Sequence, residues 1–189
     1  MNTNASMFNR FVAVILDLLT FLGYAAGFMM LTFTASSIDA ELQFEKVSKS
    51  ELIRTGVILV VIYFILDVLL TRIFATTPGK LSLNCDVDFH MGNTMLYNII
   101  RSFVKIVCLF TVVLGFFSYI SGTTSPDSQT FHDKIAKTNV TDSTRMPRVL
   151  GVLIVMVGIG ILIYFIVTYH DSLGINPSLN LPNYKIFDI

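Results

Sequence analysis

Five ionisable residues stand inside or at the ends of long apolar runs: Arg10, Asp17, Asp67, Arg101 and Lys105. A charge at mid-bilayer costs about 2.5–3.5 kcal/mol on insertion scales, so such groups turn toward a bundle interior, a wet cavity or the interface and find partners. A carboxylate held there can bind a cation or relay a proton. Neutralised by Arg101 and Lys105, the same groups would instead orient helices. Arg10 and Asp17 are seven residues apart, which brings them within about 20° of one helix face but leaves about 10 Å between them along the axis. Arg10, with Arg72, Lys134 and Arg148, is therefore read as an interfacial, snorkelling charge. Asp67 precedes Arg72 by five residues on a helix of opposite direction, which gives it a depth similar to that of Asp17. Arg101 enters from the same side, so Asp17, Asp67, Arg101 and Lys105 are expected to gather in one intramembrane polar cluster.

The polar stretches offer less chemistry. The adjacent His132 and Asp133 could form an acid/base pair, or Asp133 could close a turn by accepting backbone hydrogen bonds. Cys85 and Cys108 make no disulfide framework and read as free thiols. His90, His132 and His170 lack metal-ligand spacing. There is no GxSxG, HExxH, P-loop or GxGxxG pattern. Catalysis, a bound metal and a cofactor are accordingly not expected.

The elements that must position these residues follow from composition. Of 189 residues 53% are hydrophobic and only 14% charged, with 13 basic and 13 acidic side chains, and the mean hydropathy is +0.70. A soluble domain carries about 25% charged residues. The low charge argues against a water-facing globule and a disordered chain, and the zero net charge argues against nucleic-acid binding. A bilayer core needs roughly 20 helical residues. Residues 11–33, 52–74 and 149–169 meet this plainly. Residues 96–120 are as apolar but carry Arg101 and Lys105 in their first turns. The run 11–33 is longer than the roughly 7–15 residues of a signal peptide's apolar region, so a retained first helix is expected. The fold class is thus an all-α integral membrane protein with three to four transmembrane helices, and the lipid bilayer is its first partner.

Orientation separates two topologies. Four full crossings with a cytoplasmic N-terminus leave six Lys/Arg inside and seven outside, against the positive-inside bias. If 96–120 dips in and returns, nine lie inside (Arg10, Arg72, Lys80, Arg101, Lys105, Lys134, Lys137, Arg145 and Arg148) and four outside. The charge rule favours the re-entrant hairpin, with a break near Gly115, and leaves four plain crossings as the rival. The loop between the first two spans is acidic (Asp39, Glu41, Glu45, Glu51). The small residues of Gly23-Tyr-Ala-Ala-Gly27, and Gly151, Gly158 and Gly160, read as close helix packing within the bundle. Tyr97, Tyr119 and Tyr169 are the interfacial anchors in a chain without Trp.

Two cytoplasmic segments resemble short strands. After the turn Thr77-Pro78-Gly79-Lys80, residues 81–89 alternate apolar and polar, and residues 135–141 form a weaker candidate. With a shared face they could pair as small cytoplasmic β elements. Here the chain resembles the RDD family of bacterial membrane proteins. The resemblance rests on Arg10 at the start of the first helix, Asp17 within it, the TPGK-type turn (Pro78, Gly79, Lys80), and an HD-x-x-A-x-T element made by His132, Asp133, Ala136 and Thr138. It covers residues 8–141, with 149–169 as an additional transmembrane helix and 170–189 as a polar tail. Asn84 and Lys137 stand where the family usually has glycine. The resemblance implies Arg10, Asp17 and Asp133 as signature residues and a multi-pass protein of the bacterial cytoplasmic membrane. It also implies a link to transport, since some members are sodium/proton antiporters. Two functions compete: a transporter, or a subunit of one, for cations, protons or small ligands, with Asp17 as the ion site; and a non-catalytic adaptor that docks a membrane protein partner through 77–89 and 129–141. Three or four helices leave little room for a pore in one copy, which a homo-oligomer would relieve.

Overall fold

The computed structural model describes residues 4–32, 49–89, 92, 95–125, 129–142, 145–170 and 173. The acidic loop with Asp39, Glu41 and Glu45, His90, and the tail other than 170 and 173 lie outside the described residues. The elements in chain order are α1 (Met7–Thr32), α2 (Lys49–Phe74), α3 (Pro78–Ser82), β1 (Asp86–Phe89), α4 (Met95–Phe110), α5 (Val112–Thr124), α6 (Phe131–Ile135), β2 (Thr138–Thr141) and α7 (Arg148–Thr168).

Among the described residues three helices are long and apolar enough to cross a membrane, over Met7–Leu31, Ile53–Phe74 and Arg148–Thr168. Their outer faces carry large exposed side chains, including Phe28, Leu31, Ile73, Val149, Met156 and Val167. Such a surface suits lipid rather than water. Inside the bundle α1 and α7 meet through small residues. A Cβ on Gly23 would fall on the Gly158 carbonyl, and one on Gly158 would press against Thr20 at 3.1 Å. Gly27 faces Ile161 and Gly151 faces Leu81 and Ser82, whereas Gly160 has open space around it. Without hydrophobic drive between helices in lipid, such close approach lets dispersion forces hold them.

The fourth apolar stretch is two helices bent by 117°. The break falls at Thr111, whose backbone is extended (φ −104°, ψ 97°), and not at Gly115. Gly115 serves the bend differently: a Cβ there would lie 2.8 Å from the Cys108 carbonyl oxygen, so glycine lets α5 fold back against α4. The antiparallel pairing of β1 with β2, in register from Asp86↔Thr141 to Phe89↔Thr138, decides the topology. A full crossing between them would put the two strands on opposite sides of the bilayer. Their pairing fits only a hairpin that returns to the face it left. The N-terminus joins the same face through a bridge from Asn4 to Thr141 and a hydrogen bond from Ala5 N to the Val140 carbonyl at 2.9 Å.

The two strands are shorter than their sequence pattern suggests. Leu81 and Ser82 continue the turn at Pro78 as a short helix instead of opening the strand, because proline's fixed φ suits a first helical position and the Leu81 amide donates to the Thr77 carbonyl at 2.8 Å. The strand begins only at Asp86. Ile135 likewise ends α6 rather than starting β2. Both changes of direction use left-handed backbone, at Asn84 (φ 60°) and Lys137 (φ 50°). That conformation costs an L-residue roughly 1–2 kcal/mol, and asparagine tolerates it better than lysine. Lys137→Gly is therefore expected to raise the thermal unfolding midpoint in detergent, by the equivalent of about 1 kcal/mol, and Lys137→Val to lower it.

Candidate functional site: a buried charge cluster beneath a clasped cap

α4 is amphipathic in the inverse sense of a soluble helix. Asn98, Arg101, Ser102, Lys105 and Cys108 form its buried stripe, at spacings of three and four residues that define one face. Leu96, Phe103 and Phe110 are exposed on the other side. The stripe delivers two cations to two different carboxylates. Lys105 Nζ lies 2.7 Å from Asp67 Oδ1, and Ser102 Oγ donates to Asp67 Oδ2 at 2.5 Å. The same ammonium sits over the Tyr63 ring at 5.4 Å.

Arg101 turns to Asp133, which is completely buried. Its Nε and Nη2 both donate to Asp133 Oδ1 at 3.1 Å. Arg10 reaches the same carboxylate with Nη1 at 3.2 Å and spends its other donors on the Ala5 carbonyl, the Asn139 side chain and the Val140 carbonyl. Thr130 and Thr138 hydroxyls complete the set, at 2.7 and 3.2 Å. Asp133 thus ties α1, α4, α6 and β2 to one atom pair. Burial works to raise its pKa, but His132, Arg101, the Thr130 hydrogen bond and Arg10 outweigh it and hold the carboxyl well below the ordinary range. Burial also pushes the His132 imidazole down to about 4 against the pull of Asp133. Near neutral pH the carboxylate is held by arginines and hydroxyls rather than by a charged histidine.

Asp17 is placed apart from both groups. Its carboxylate accepts the Thr77 hydroxyl at 2.6 Å and the Gly79 amide at 2.7 Å, which fastens α3 to α1. The expected single cluster of Asp17, Asp67, Arg101 and Lys105 is therefore resolved into three neighbouring sets. Arg10 is buried and paired rather than snorkelling. Pro78 starts α3, Gly79 packs against Ala13 and Asp17, and Ala136 is buried where α6 ends. The sequence marks Thr77 through its turn motif, but it does not single out Thr130 or Asn139. Thr130 had a signal: a Thr three residues before an acid at a helix start is the capping-box spacing.

Lys80 departs most from a loop lysine. It is 4% exposed, and its Nζ makes no hydrogen bond among the described residues. Arg101 Nη1 is likewise buried without a hydrogen bond there. Burial, then the positive charges of Arg101 and Lys105, push the Lys80 pKa down to about 7, while Asp67 and Asp17 oppose the shift. A base whose folded pKa is depressed penalises the fold while protonated. Stability should therefore rise as pH increases from about 7 toward 10.5. A thermal unfolding series in neutral detergent should show this rise, and Lys80→Met should flatten it.

A cavity of about 670 Å³ reaches these groups. Its inner wall holds Arg10, Lys80, Arg101, Lys105, His132 and Asp133, and its outer wall Phe8, Phe11, Leu109, Phe116 and Tyr119. Among the described residues no three His, Cys, Asp or Glu side chains gather in metal-binding fashion. Cys85 and Cys108 are free and buried, and burial pushes the Cys85 thiol up to about 11.

A bundle of apolar helices, a returning hairpin and a strand-clasped polar cap define a polytopic membrane protein with a mainly apolar cavity beside a buried charge cluster under one face. Residues 4–137 match the family model described as RDD family, and the chain belongs to that family. The match runs from Asn4 through α6 to Lys137 and stops before β2 and α7. No match to the chain is found among curated proteins or among solved structures.

Proposed function

We propose that the protein is a small-ligand transporter, or the membrane subunit of one, and that the cavity beneath the cap is its ligand chamber. The observation that carries this reading is a mainly apolar cavity of about 670 Å³ that reaches four cationic side chains and one carboxylate at its buried end, within the 300–1,000 Å³ of typical ligand pockets. A cation site at Asp17 is supported less, since both carboxylate oxygens already accept hydrogen bonds and Asp17 does not line the cavity. An adaptor role is also supported less, because the motif residues Gly79, Lys80, Asp133, Ala136 and Thr138 are all buried, which leaves only scattered exposed side chains such as Asp88, Phe131 and Ile135 in the two segments. The Lys/Arg excess on the cap face supports a cytoplasmic N-terminus in the bacterial cytoplasmic membrane.

Flux in proteoliposomes tests the reading, with sodium, protons, inorganic phosphate and dye-labelled phosphatidylglycerol as the panel. At least one member should move faster than through empty liposomes. Lys80→Met should lower that flux at least tenfold and the surface change Arg145→Met should not. Flux equal to empty liposomes across the panel would overturn the proposal.

A further inference from the structure

Buried charge around the chamber does not balance. Asp133 serves Arg10 and Arg101, Asp67 serves Lys105, and Asp17 takes only the neutral donors Thr77 and Gly79. Among the described residues the remaining buried carboxylate, Asp86, accepts the Arg145 amide and does not line the cavity. Against the three carboxylates nearest the chamber stand four cations, and Lys80 is the one without a hydrogen-bonded carboxylate among the described residues. Lys80 and Arg101 both line the cavity, and Lys80 Nζ and Arg101 Nη1 are buried donors that make no hydrogen bond among the described residues. A buried ammonium without a partner costs several kcal/mol, and an anion between these two groups would remove that cost.

The other wall says what kind of anion. Phe8, Phe11 and Phe116 line the same cavity yet are 69%, 55% and 63% exposed. They lie on α1 and α5, whose outer faces are the lipid-facing ones. An anion that enters between these helices passes aromatic rings before it meets Lys80, a gradient suited to a molecule with an apolar tail.

We infer that the chamber binds an anionic phospholipid of the surrounding leaflet, its phosphate on Lys80 Nζ and Arg101 Nη1 and its acyl chain along Phe8, Phe11 and Phe116. This rests on the cavity being a ligand chamber and names the class of ligand it takes. Lipid phosphate is favoured over free phosphate because the rim is apolar. A basic pocket between helices is a physically sound headgroup site.

The test uses the full chain, delipidated in neutral detergent, with native mass spectrometry and thermal unfolding as readouts. Phosphatidylglycerol should bind one per chain and raise the midpoint; phosphatidylcholine and inorganic phosphate should do neither. Lys80→Met should weaken phosphatidylglycerol binding at least tenfold while raising the lipid-free midpoint, and Lys80→Arg should retain binding. Should the methionine variant fail to fold, Lys80→Gln carries the same expected loss. Equal binding of phosphatidylcholine, saturation by inorganic phosphate in place of lipid, or unchanged binding in both neutral variants would each overturn the inference. Lipid binding without any flux would overturn the transport reading alone. Flux without discrimination between the two lipids would overturn this inference alone.

Discussion

Asp133→Ala is expected to lower the unfolding midpoint by on the order of 10 °C, equivalent to about 3–5 kcal/mol. The carboxylate receives donors from Arg10, Arg101, Thr130 and Thr138. Its removal leaves two guanidinium groups buried at 7% and 1% exposure without their anion. Loss of one partner from a buried ion pair costs more than the pair contributes, because the remaining charge keeps its desolvation penalty. Arg10→Met in the same chain should restore part of the loss. A double-mutant cycle should give a coupling of about 0.5–3 kcal/mol between the two positions. Thermal unfolding with size-exclusion detection in detergent measures both, and a single variant within about 0.5 kcal/mol of the parent would refute the clasp.

Gly79→Ala is the second large effect. A Cβ at this position would lie 2.8 Å from Asp17 N and 2.9 Å from Asp17 Oδ1, and closer still to the Ala13 carbonyl. The obstacles are helix backbone and a hydrogen-bonded carboxylate, so α3 must move away from α1. The move breaks the Gly79 amide bond to Asp17. Overpacking contributes about 1–3 kcal/mol and the lost charge-assisted hydrogen bond about 1.5–3 kcal/mol, so a loss of about 3 kcal/mol or more is expected. Gly160→Ala, where the added methyl meets open space, should leave the midpoint unchanged or slightly higher. Parallel midpoints of the two variants give the comparison, and equal behaviour would show that the α1–α3 contact is looser than these distances imply.

Much of the architecture is legible in the chain because lipid imposes a simple rule. An apolar run must be helical, since its backbone has no other partner in hydrocarbon. Residues 11–33, 52–74 and 149–169 therefore announced three spans, and the distribution of Lys and Arg pointed to a hairpin at 96–120. The glycines of α1 and α7 also carried their packing role in their spacing. The break at Thr111 was less visible, because threonine is no strong breaker and its extended backbone follows from how α5 folds back on α4.

The charged site was legible by membership and not by pairing. A charge in an apolar run needs a partner, so the sequence alone marked Arg10, Asp17, Asp67, Arg101 and Lys105 and, through the family pattern, Asp133. Which cation meets which carboxylate depends on contacts across long stretches of chain, as between Arg10 and Asp133. Local periodicity carries no information about such distant pairs. Tertiary structure alone decided that Asp133 is shared by two arginines, that Asp17 fastens α3, and that Lys80 is buried without a hydrogen bond. The hydrophobic solvent fixes which segments are helices one segment at a time, whereas partner choice is settled only when all the helices and both strands are in place together.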